Sequence, residues 1–424
     1  MPEIQPFRAI RYNPETAGDA AKLICPPYDV ISSELQQQLN DSSPFNAVRL
    51  ELPVEADPYA ASAGRLHDWL QNGELLRDTE PALYPYSQTF TDQAGNTHNR
   101  CGFFAAMRLH EFAERKVLPH ERTLSGPKAD RLNLFRKTRT NISSIFGLYA
   151  DDEGEADRIV SAYTDANEPL VDAVFQGVRN RLWRIVDPEL VAGIQQALVQ
   201  RTVYIADGHH RYETGLNYRR ERAEENPEHS GNEPYNFILV YLNNIYDKGL
   251  VVFPIHRLVH SLEDFDASRL RERLEEHFAV TELDGRAELK AYLEAASSSY
   301  AYGVVSEGSV LGITLKSDPA GMLDSGIAPA LQQLGLVVLH EVVLNRLLGI
   351  GQEAMAKQTN LVYVKDDGDV FDAVASGRVQ AGFVVKPATV GQVLAVSESG
   401  GVMPQKSTFF YPKIMTGLLF NPLD

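Results

Sequence analysis

The stretch RTVYIADGHHRYETGLNYRRERAEE, residues 201–225, combines a strand pattern, a turn residue and a helix pattern. Residues 201–206 are rich in β-branched and aromatic side chains, which predicts a short strand. Gly208 permits a tight turn, and residues 211–225 have the spacing of an amphipathic helix. A strand that passes through glycine into a helix is typical of α/β folds, so we predict that class.

The same turn predicts an anion-binding site. The first N–H groups of a helix and the helix dipole both favour negative charge. Arg211 would add a forked cation, and His209 and His210 would add donors that suit a phosphate. Asp207 could hold a metal ion or orient a substrate amine. In the alternative interpretation, Asp207 only caps the helix and the histidines pack internally or face solvent.

A second polar cluster lies upstream in LPHERTLSGPKADR, residues 118–131. Glu121 stands beside His120 and could act as a general base or a metal ligand. Lys128 and Arg131 could neutralise phosphate charge. The alternative is a solvated loop whose charges pair locally.

Familiar catalytic motifs are absent from the sequence. His340-Glu341 begins like a zinc-protease helix, but Leu344 stands where the second histidine is required, and no G-x-S-x-G occurs. MPQKST, residues 403–408, is not a P-loop because glutamine precedes Lys406. Lys406 and Ser407 are still candidates for phosphate contact, with a plain loop before a strand as the alternative.

The rest of the chain predicts alternating strands and helices. We expect a strand over Asn46–Leu52, a helix over Tyr59–Gln71, and a later helix whose apolar face runs from Leu262 to Phe278. A change of pattern between Pro254 and Leu262 suggests two domains, residues 1–255 and 256–424. Each is expected to mix helices and strands.

The amino-acid composition limits which partners and which cellular location are expected. The 424 residues carry 40 basic and 57 acidic side chains, a net charge of −17, which disfavours nucleic acid and anionic membranes as partners. Cys25 and Cys101 are the only cysteines, too few for a disulfide framework. The sequence shows no signal peptide and no apolar run long enough to cross a membrane, so a cytoplasmic protein is expected.

Five motifs together carry a family resemblance. They are CPPYDVI at 25–31, HERT at 120–123, GPKADRL at 126–132, DGHHRYE at 207–213 and MPQKST at 403–408. The chain resembles, from Pro6 to Leu419, the bacterial DUF1015 family of unknown function within the ParB/sulfiredoxin-like superfamily. The resemblance implies a ParB/sulfiredoxin-like nucleotide-binding core with insertions in residues 1–255. A C-terminal α/β region, residues 256–424, would contribute to the site.

The wider superfamily implies roles for single residues. Sulfiredoxins, ParB proteins and free-serine kinases share a glycine–basic loop that binds nucleotide phosphates, and its match here is Gly208–Arg211. His209 stands where sulfiredoxins have their catalytic cysteine, so sulfinic acid reduction is not expected. The sequence is also similar to free-serine kinases in its His-Glu pair and Asp-Gly-His loop. By that resemblance Glu121 is the base and Asp207 helps to hold the substrate.

We therefore expect a nucleotide-dependent phosphotransferase of serine metabolism, acting on a small hydroxyl substrate or running the reverse reaction on phosphoserine. Glu121 would take the hydroxyl proton, with His120 and His209 as further catalytic candidates. Gly208–Arg211 would hold the phosphates, and Lys128, Arg131, Lys406 and Ser407 would add contacts. ATP or ADP with Mg²⁺ is the expected cofactor, although no metal ligands are assigned. A ParB-like nucleotide-binding regulator and a phosphate-ester hydrolase stay open as alternatives, and so does the oligomeric state.

Overall fold

A computed structural model describes residues 3–92, 94–121, 123 and 125–424. The chain forms two compact units. Unit 1 comprises Met1–Pro119, Thr123–Val251 and Pro412–Asp424, and unit 2 comprises His120–Arg122 and Val252–Tyr411. The last residues of the chain therefore belong to the same unit as the first.

Unit 1 alternates strands and helices along the chain. Its strands are β1 (Ile4–Gln5), β2 (Ile10–Tyr12), β3 (Leu75–Arg77), β4 (Tyr84–Thr91), β5 (Thr97–Arg108), β6 (Val117–Leu118), β7 (Thr140–Asn141), β8 (Ile145–Tyr149), β9 (Val171–Phe175), β10 (Val178–Leu182), β11 (Val203–Asp207) and β12 (Phe237–Asn244). Its α-helices are α1 (Ser33–Ser42), α2 (Val48–Glu51), α3 (Pro58–Asn72), α4 (Ser125–Thr138), α5 (Glu155–Ala166), α6 (Pro188–Leu198) and α7 (His209–Glu225).

A nine-stranded mixed sheet organises unit 1. Its order is β6-β11-β8-β12-β5-β4-β10-β9, and β1 pairs with β5. The pairs β6–β11 and β8–β12 are parallel, whereas β11–β8 and β12–β5 are antiparallel. All eight residues of β12 are buried, as expected for a strand with a neighbour on each side and both faces covered.

Two secondary-structure predictions for the first part of unit 1 have different outcomes. The strand expected over Asn46–Leu52 is wrong, because Val48–Glu51 forms the short helix α2. The Asn46 side chain accepts a hydrogen bond from the Val48 N–H at 2.9 Å, which favours a turn over an extended chain. The helix predicted over Tyr59–Gln71 is confirmed as α3, with Leu66 and Trp69 buried on one face.

The C-terminal segment packs within unit 1. A short strand, Asn421–Pro422, pairs with β7. The buried guanidinium of Arg100 donates to the carbonyl of Pro412 at 2.5 Å, and the Gln88 amide donates to the carbonyl of Lys413 at 3.0 Å. These bonds fix the backbone on both sides of the Pro412–Lys413 peptide.

Unit 2 has its own sheet and helices. Its strands are β13 (Val251–Phe253, of which all but Val251 belongs to this unit), β14 (His256–Val259), β15 (Phe278–Glu282), β16 (Ala301–Ser306), β17 (Ser309–Leu315), β18 (Leu361–Val364), β19 (Ala381–Val385) and β20 (Phe409–Tyr411). Its α-helices are α8 (Ala267–His277), α9 (Arg286–Ala295), α10 (Pro329–Gln332), α11 (Gly335–Val338), α12 (Gln352–Lys357), α13 (Asp367–Ala375) and α14 (Val390–Glu398). A π-helix, Leu339–Leu347, directly follows α11.

The six-stranded sheet of unit 2 is antiparallel, in the order β15-β17-β16-β19-β14-β18. The helix predicted to present a face from Leu262 to Phe278 is shorter than expected. Leu262 precedes α8, and Phe278 begins β15 with its side chain buried in the core. Asp266 accepts a hydrogen bond from the Arg269 N–H and sets the start of α8.

The fold class is the predicted one, since α-helices accompany mixed and antiparallel sheets in the chain. Among the described residues, no helix is both long enough and apolar enough to cross a membrane.

Candidate functional site

The predicted strand, glycine turn and helix are confirmed. β11 ends at Asp207, Gly208 adopts φ 90° in the left-handed region, and α7 begins at His209. Only glycine enters this region without steric cost. A Cβ atom at position 208 would lie 3.1 Å from both the Arg211 Nε and the Ile145 Cγ2. The turn therefore favours glycine for its backbone conformation, and a larger residue would also require the side chains of Arg211 and Ile145 to shift.

Asp207 is held between two cations. Its Oδ1 accepts a hydrogen bond from the Lys413 ammonium at 2.7 Å, and its Oδ2 accepts one from Arg211 at 2.9 Å. Burial alone would raise the pKa of Asp207, but the charges of Lys413 and Arg211 outweigh burial, and the pKa lies well below its usual range. Asp207 is therefore an ionised carboxylate in the folded protein.

Arg211 is almost fully buried, and two of its contacts lie inside unit 1. It donates to Asp207 and to the backbone carbonyl of Ser144. Burial acts to lower the pKa of Arg211, but nearby acids, Asp207 first, raise it overall. These contacts give Arg211 a structural role at the turn, and its predicted contact with phosphate stays a prediction.

The two histidines of the turn differ in exposure. His209 is buried and His210 is half-buried. Burial lowers the pKa of His210, although Asp29 and Glu213 act in the opposite direction. A neutral imidazole at this position can both donate and accept a hydrogen bond.

The first turns of α7 also meet helix α4 through Glu213. Its two carboxylate oxygens accept hydrogen bonds from the Thr123 hydroxyl at 2.8 Å and from the Lys128 ammonium at 2.7 Å. The Lys128 side chain is 27% exposed, so it can still be reached from solvent. Glu213, the partner of Lys128, lies one helical turn along α7 from His209 and His210. That Lys128 and the histidines share one site stays a prediction.

Arg131 belongs to a buried network in the same unit. It bonds Asp130 at 2.6 Å and the backbone carbonyl of Glu51 at 3.0 Å, and its guanidinium lies 4.3 Å from the centre of the Tyr28 ring. The Glu51 carboxylate lies 3.5 Å from Arg131 and accepts a bond from Ser143. The contacts of Arg131 point to a role in holding CPPYDVI and α4 together, and its contact with phosphate stays a prediction.

The remaining predicted residues lie in unit 2. His120 is buried and its Nε2 lies 3.0 Å from the Thr408 hydroxyl. The backbone of Glu121 forms a parallel bridge with Met403. Ser407 is buried and donates to the Pro404 carbonyl at 2.6 Å, whereas the Lys406 side chain is exposed. His120 and Glu121 are thus neighbours of the motif MPQKST within unit 2, and the roles of these four residues stay predictions.

Sequence reasoning missed two members of the unit 1 cluster, Lys413 and Glu213. Glu213 belongs to the quoted motif DGHHRYE, so its place in the pattern was a usable signal. Lys413 stands in the apolar stretch FFYPKIMTGLLF, residues 409–420, and a single basic residue there is a weak signal.

The residues do not form a ready metal site. Within the described ranges, no group of three or more His, Cys, Asp or Glu side chains could hold a metal ion. Both oxygens of Asp207 and of Glu213 already accept hydrogen bonds. The expected Mg²⁺ thus finds no protein-made donor set there and stays a prediction.

Comparison with known families shows the family of the chain but not its activity. The family described as "Protein of unknown function (DUF1015)" matches residues 4–337, more than half of the chain. The chain belongs to the DUF1015 family. No curated protein matches the sequence of this DUF1015 protein.

Several solved structures show weak similarity to it. A free serine kinase in complex with AMP is 14% identical, with 70% of this chain and 83% of that chain covered and a TM-score of 0.36. A conserved hypothetical protein from Pyrococcus furiosus is 16% identical, with 70% and 89% covered and a TM-score of 0.34. SbnI from Staphylococcus aureus, truncated at its C-terminus, is 8% identical, with 71% and 82% covered and a TM-score of 0.34. Similarities this low assign neither a fold family nor an activity.

Proposed function

We propose that this DUF1015 protein is a nucleotide-dependent phosphotransferase that acts on a small hydroxyl substrate and binds the nucleotide phosphates at the Gly208 turn. One observation carries the proposal: a left-handed glycine opens α7 within a cluster that contains Lys413, Arg211 and Lys128. Three cations therefore share the cluster with two carboxylates, Asp207 and Glu213, and a helix N-terminus with cations close by is a favourable environment for a phosphate.

Lys128 is the residue best placed to reach a ligand. Its ion pair with Glu213 uses one of the three N–H donors of the ammonium group, and the side chain is partly exposed. Arg211, by contrast, is buried and bonded to Asp207 and Ser144. We therefore assign phosphate contact chiefly to Lys128, with Arg211 holding the turn in shape.

The two candidate carboxylates suit different roles. A general base works best with a pKa near the working pH, and the low pKa of Asp207 makes it a poor proton acceptor. An ionised Asp207 is suited instead to holding a cationic group, which would take the place of Lys413 on its Oδ1. Glu121 keeps the general-base role that the sequence predicts for it, and serine or phosphoserine keeps the place of first substrate to test.

Nucleotide binding is the first test. AMP, ADP and ATP, each with Mg²⁺, are titrated calorimetrically into the wild type, Lys128→Met and Lys116→Met. Lys116 is the matched control, because it also pairs with a glutamate in unit 1, at 3.1 Å. We expect Lys128→Met to weaken binding by about 10- to 100-fold, the value of a charge-assisted contact, and Lys116→Met to leave it unchanged. Equal affinities for all three proteins would refute the site.

Turnover is the second test. Labelled ATP is incubated with serine, and ADP with phosphoserine, and the products are separated. Glu121→Gln is expected to lower transfer by about 10²–10⁴-fold while nucleotide affinity is retained. Nucleotide binding without transfer to any small hydroxyl compound would favour a regulator. Phosphate release from phosphoserine without nucleotide would favour a hydrolase.

A further inference from the structure

A cavity of about 520 Å³ lies within unit 2. Its wall combines the apolar side chains of Ile327, Leu331, Val337 and Met355 with the polar side chains of His340 and Glu341. A volume of this size suits a small organic molecule. His340 and Glu341 lie on the π-helix, a form of helix that is often found at functional sites.

A buried positive charge lies behind His340. Arg257 of β14 is fully buried and donates from Nε to His340 Nε2 at 3.2 Å and from Nη2 to the Lys406 carbonyl at 3.0 Å. It also donates to the Ile255 carbonyl. Within the described part of the chain, no carboxylate forms an ion pair with Arg257. A buried cation whose partners are all neutral is costly to fold, which suggests that its charge serves a ligand.

The bond from Arg257 fixes the protonation of His340. Arginine can only donate, so Nε2 of His340 must accept, and the ring proton of the neutral imidazole is on Nδ1. Burial, and then the charge of Arg257, hold the pKa of His340 well below its usual range. The Nδ1–H group is therefore a donor polarised by a cation, and its natural partner is an anionic oxygen.

The next residue carries the opposite charge. Glu341 accepts hydrogen bonds from the amides of Asn345 at 3.3 Å and Gln352 at 3.2 Å. Among the residues that the structure describes, no lysine or arginine pairs with it. One side of the cavity therefore carries two complementary groups. In the described ranges, the Glu341 carboxylate has no cation paired with it, and the neighbouring His340 is polarised by Arg257, which has no carboxylate paired with it.

We propose that the unit 2 cavity binds an α-amino acid with an apolar side chain. Its carboxylate would accept from His340 Nδ1–H, its ammonium would pair with Glu341, and its side chain would lie against Leu331, Val337 and Met355. Neither an organic anion alone nor an amine alone satisfies both charges. The apolar wall selects against serine, so this ligand differs from the hydroxyl substrate of the proposed transfer.

The test uses the full chain and three ligands with one carbon skeleton. Calorimetry compares leucine with 4-methyl-2-oxopentanoate, which lacks the ammonium, and with 3-methylbutylamine, which lacks the carboxylate. Methionine and phenylalanine extend the panel. We expect at least one of the three amino acids to bind with a Kd below about 1 mM. Both single-charge analogues of leucine are expected to bind about 10-fold or more weakly than leucine.

Variants locate the binding. Glu341→Gln should weaken binding of the amino acid by about 10- to 100-fold and leave the oxo acid unaffected or tighter. Glu353→Gln is the matched control, because Glu353 is exposed, pairs with Lys357 and does not line the cavity. Ala356→Trp, at the cavity wall, should abolish binding while the melting temperature stays within a few degrees of the wild type.

Three results would overturn the proposal. They are the absence of any amino acid in the panel that binds with a Kd below about 1 mM, equal affinity for leucine and its oxo acid, and equal effects of Glu341→Gln and Glu353→Gln. Circular dichroism and the melting temperature check that each variant is folded, so that a loss of binding is read only from folded protein.

Discussion

Replacing Lys413 with methionine tests the central ion pair of the unit 1 cluster. Methionine keeps most of the length of the side chain but removes the charge. Asp207, whose side chain is 18% exposed, would then keep an ion pair with Arg211 alone among the described residues. Removing one partner of a buried pair costs about 3–5 kcal/mol. Because Arg211 is retained, we expect Lys413→Met to lower the free energy of unfolding by about 1–3 kcal/mol at pH 7.

The pH dependence has a definite sign. The folded-state pKa of Asp207 lies below its unfolded value of about 4, so its ionisation stabilises the fold above pH 4. That contribution is lost as the pH falls through the folded-state pKa. In Lys413→Met this pKa is higher, so Asp207 becomes protonated earlier on acidification. The difference between variant and wild type should therefore be full at pH 7 and narrow as the pH falls below the pKa of Asp207 in the variant.

Urea unfolding followed by tryptophan fluorescence measures this difference. Both tryptophans, Trp69 and Trp183, are buried in unit 1, so the signal reports that unit. Lys116→Met is the control, since a half-exposed pair is worth about 0–1 kcal/mol. A Lys413→Met protein within about 0.5 kcal/mol of the control at pH 7 would refute the reasoning. So would a stability gap that widens between pH 7 and pH 3.

Three further predictions concern the packing of unit 1. Gly208→Ala should lower the free energy of unfolding, measured in urea, by more than Gly73→Ala, which is expected to lower it by about 1–2 kcal/mol. Both glycines have φ 90°, but only at Gly208 would the added Cβ contact other atoms. Arg131→Met should cost about 3–5 kcal/mol because it strands Glu51, and adding Glu51→Gln should recover part of that loss; no recovery in the double variant would contradict the buried pair. Burial, above all, raises the pKa of the Cys25 thiol well above its usual range and the pKa of the Cys101 thiol to about 12. A thiol reagent at pH 8 should therefore label the native protein at least about 100-fold more slowly than the urea-unfolded chain.

Contiguous signals made the turn at Gly208 predictable. Strand formers, a glycine and a helical pattern follow one another within residues 201–225, and each acts through the local backbone. Asn46–Leu52 lacks such agreement, because a short apolar run fits a strand or a buried helical turn equally well. There the outcome depends on the Asn46 side chain and on the hydrogen bond from the Ala47 N–H to the Leu23 carbonyl, which connects residues far apart in sequence.

The partner of Asp207 was beyond prediction for a related reason. Lys413 lies 206 residues further along the chain, and its approach requires the return of Pro412–Asp424 to unit 1. Nothing in the local pattern of residues 409–420 encodes that return. The sequence could nominate Asp207 as a functional carboxylate, but its charge state depends on a neighbour that only the folded chain brings to it.

That neighbour changes what Asp207 can do in the proposed reaction. With Lys413 and Arg211 on its two oxygens, the carboxylate is already neutralised, so a substrate ammonium could bind it only by displacing Lys413. A phosphate at the Gly208 turn would attract the Lys413 ammonium away from Asp207, because a dianionic group competes better for a lysine than one carboxylate does. When both ligands bind, Lys413 would pair with the phosphate and the substrate amine would pair with Asp207. Each charge would then still have a partner. Binding of the two ligands at this turn would then be mutually favourable, which is the behaviour expected of a site that brings a phosphate donor and an amino-bearing hydroxyl substrate together.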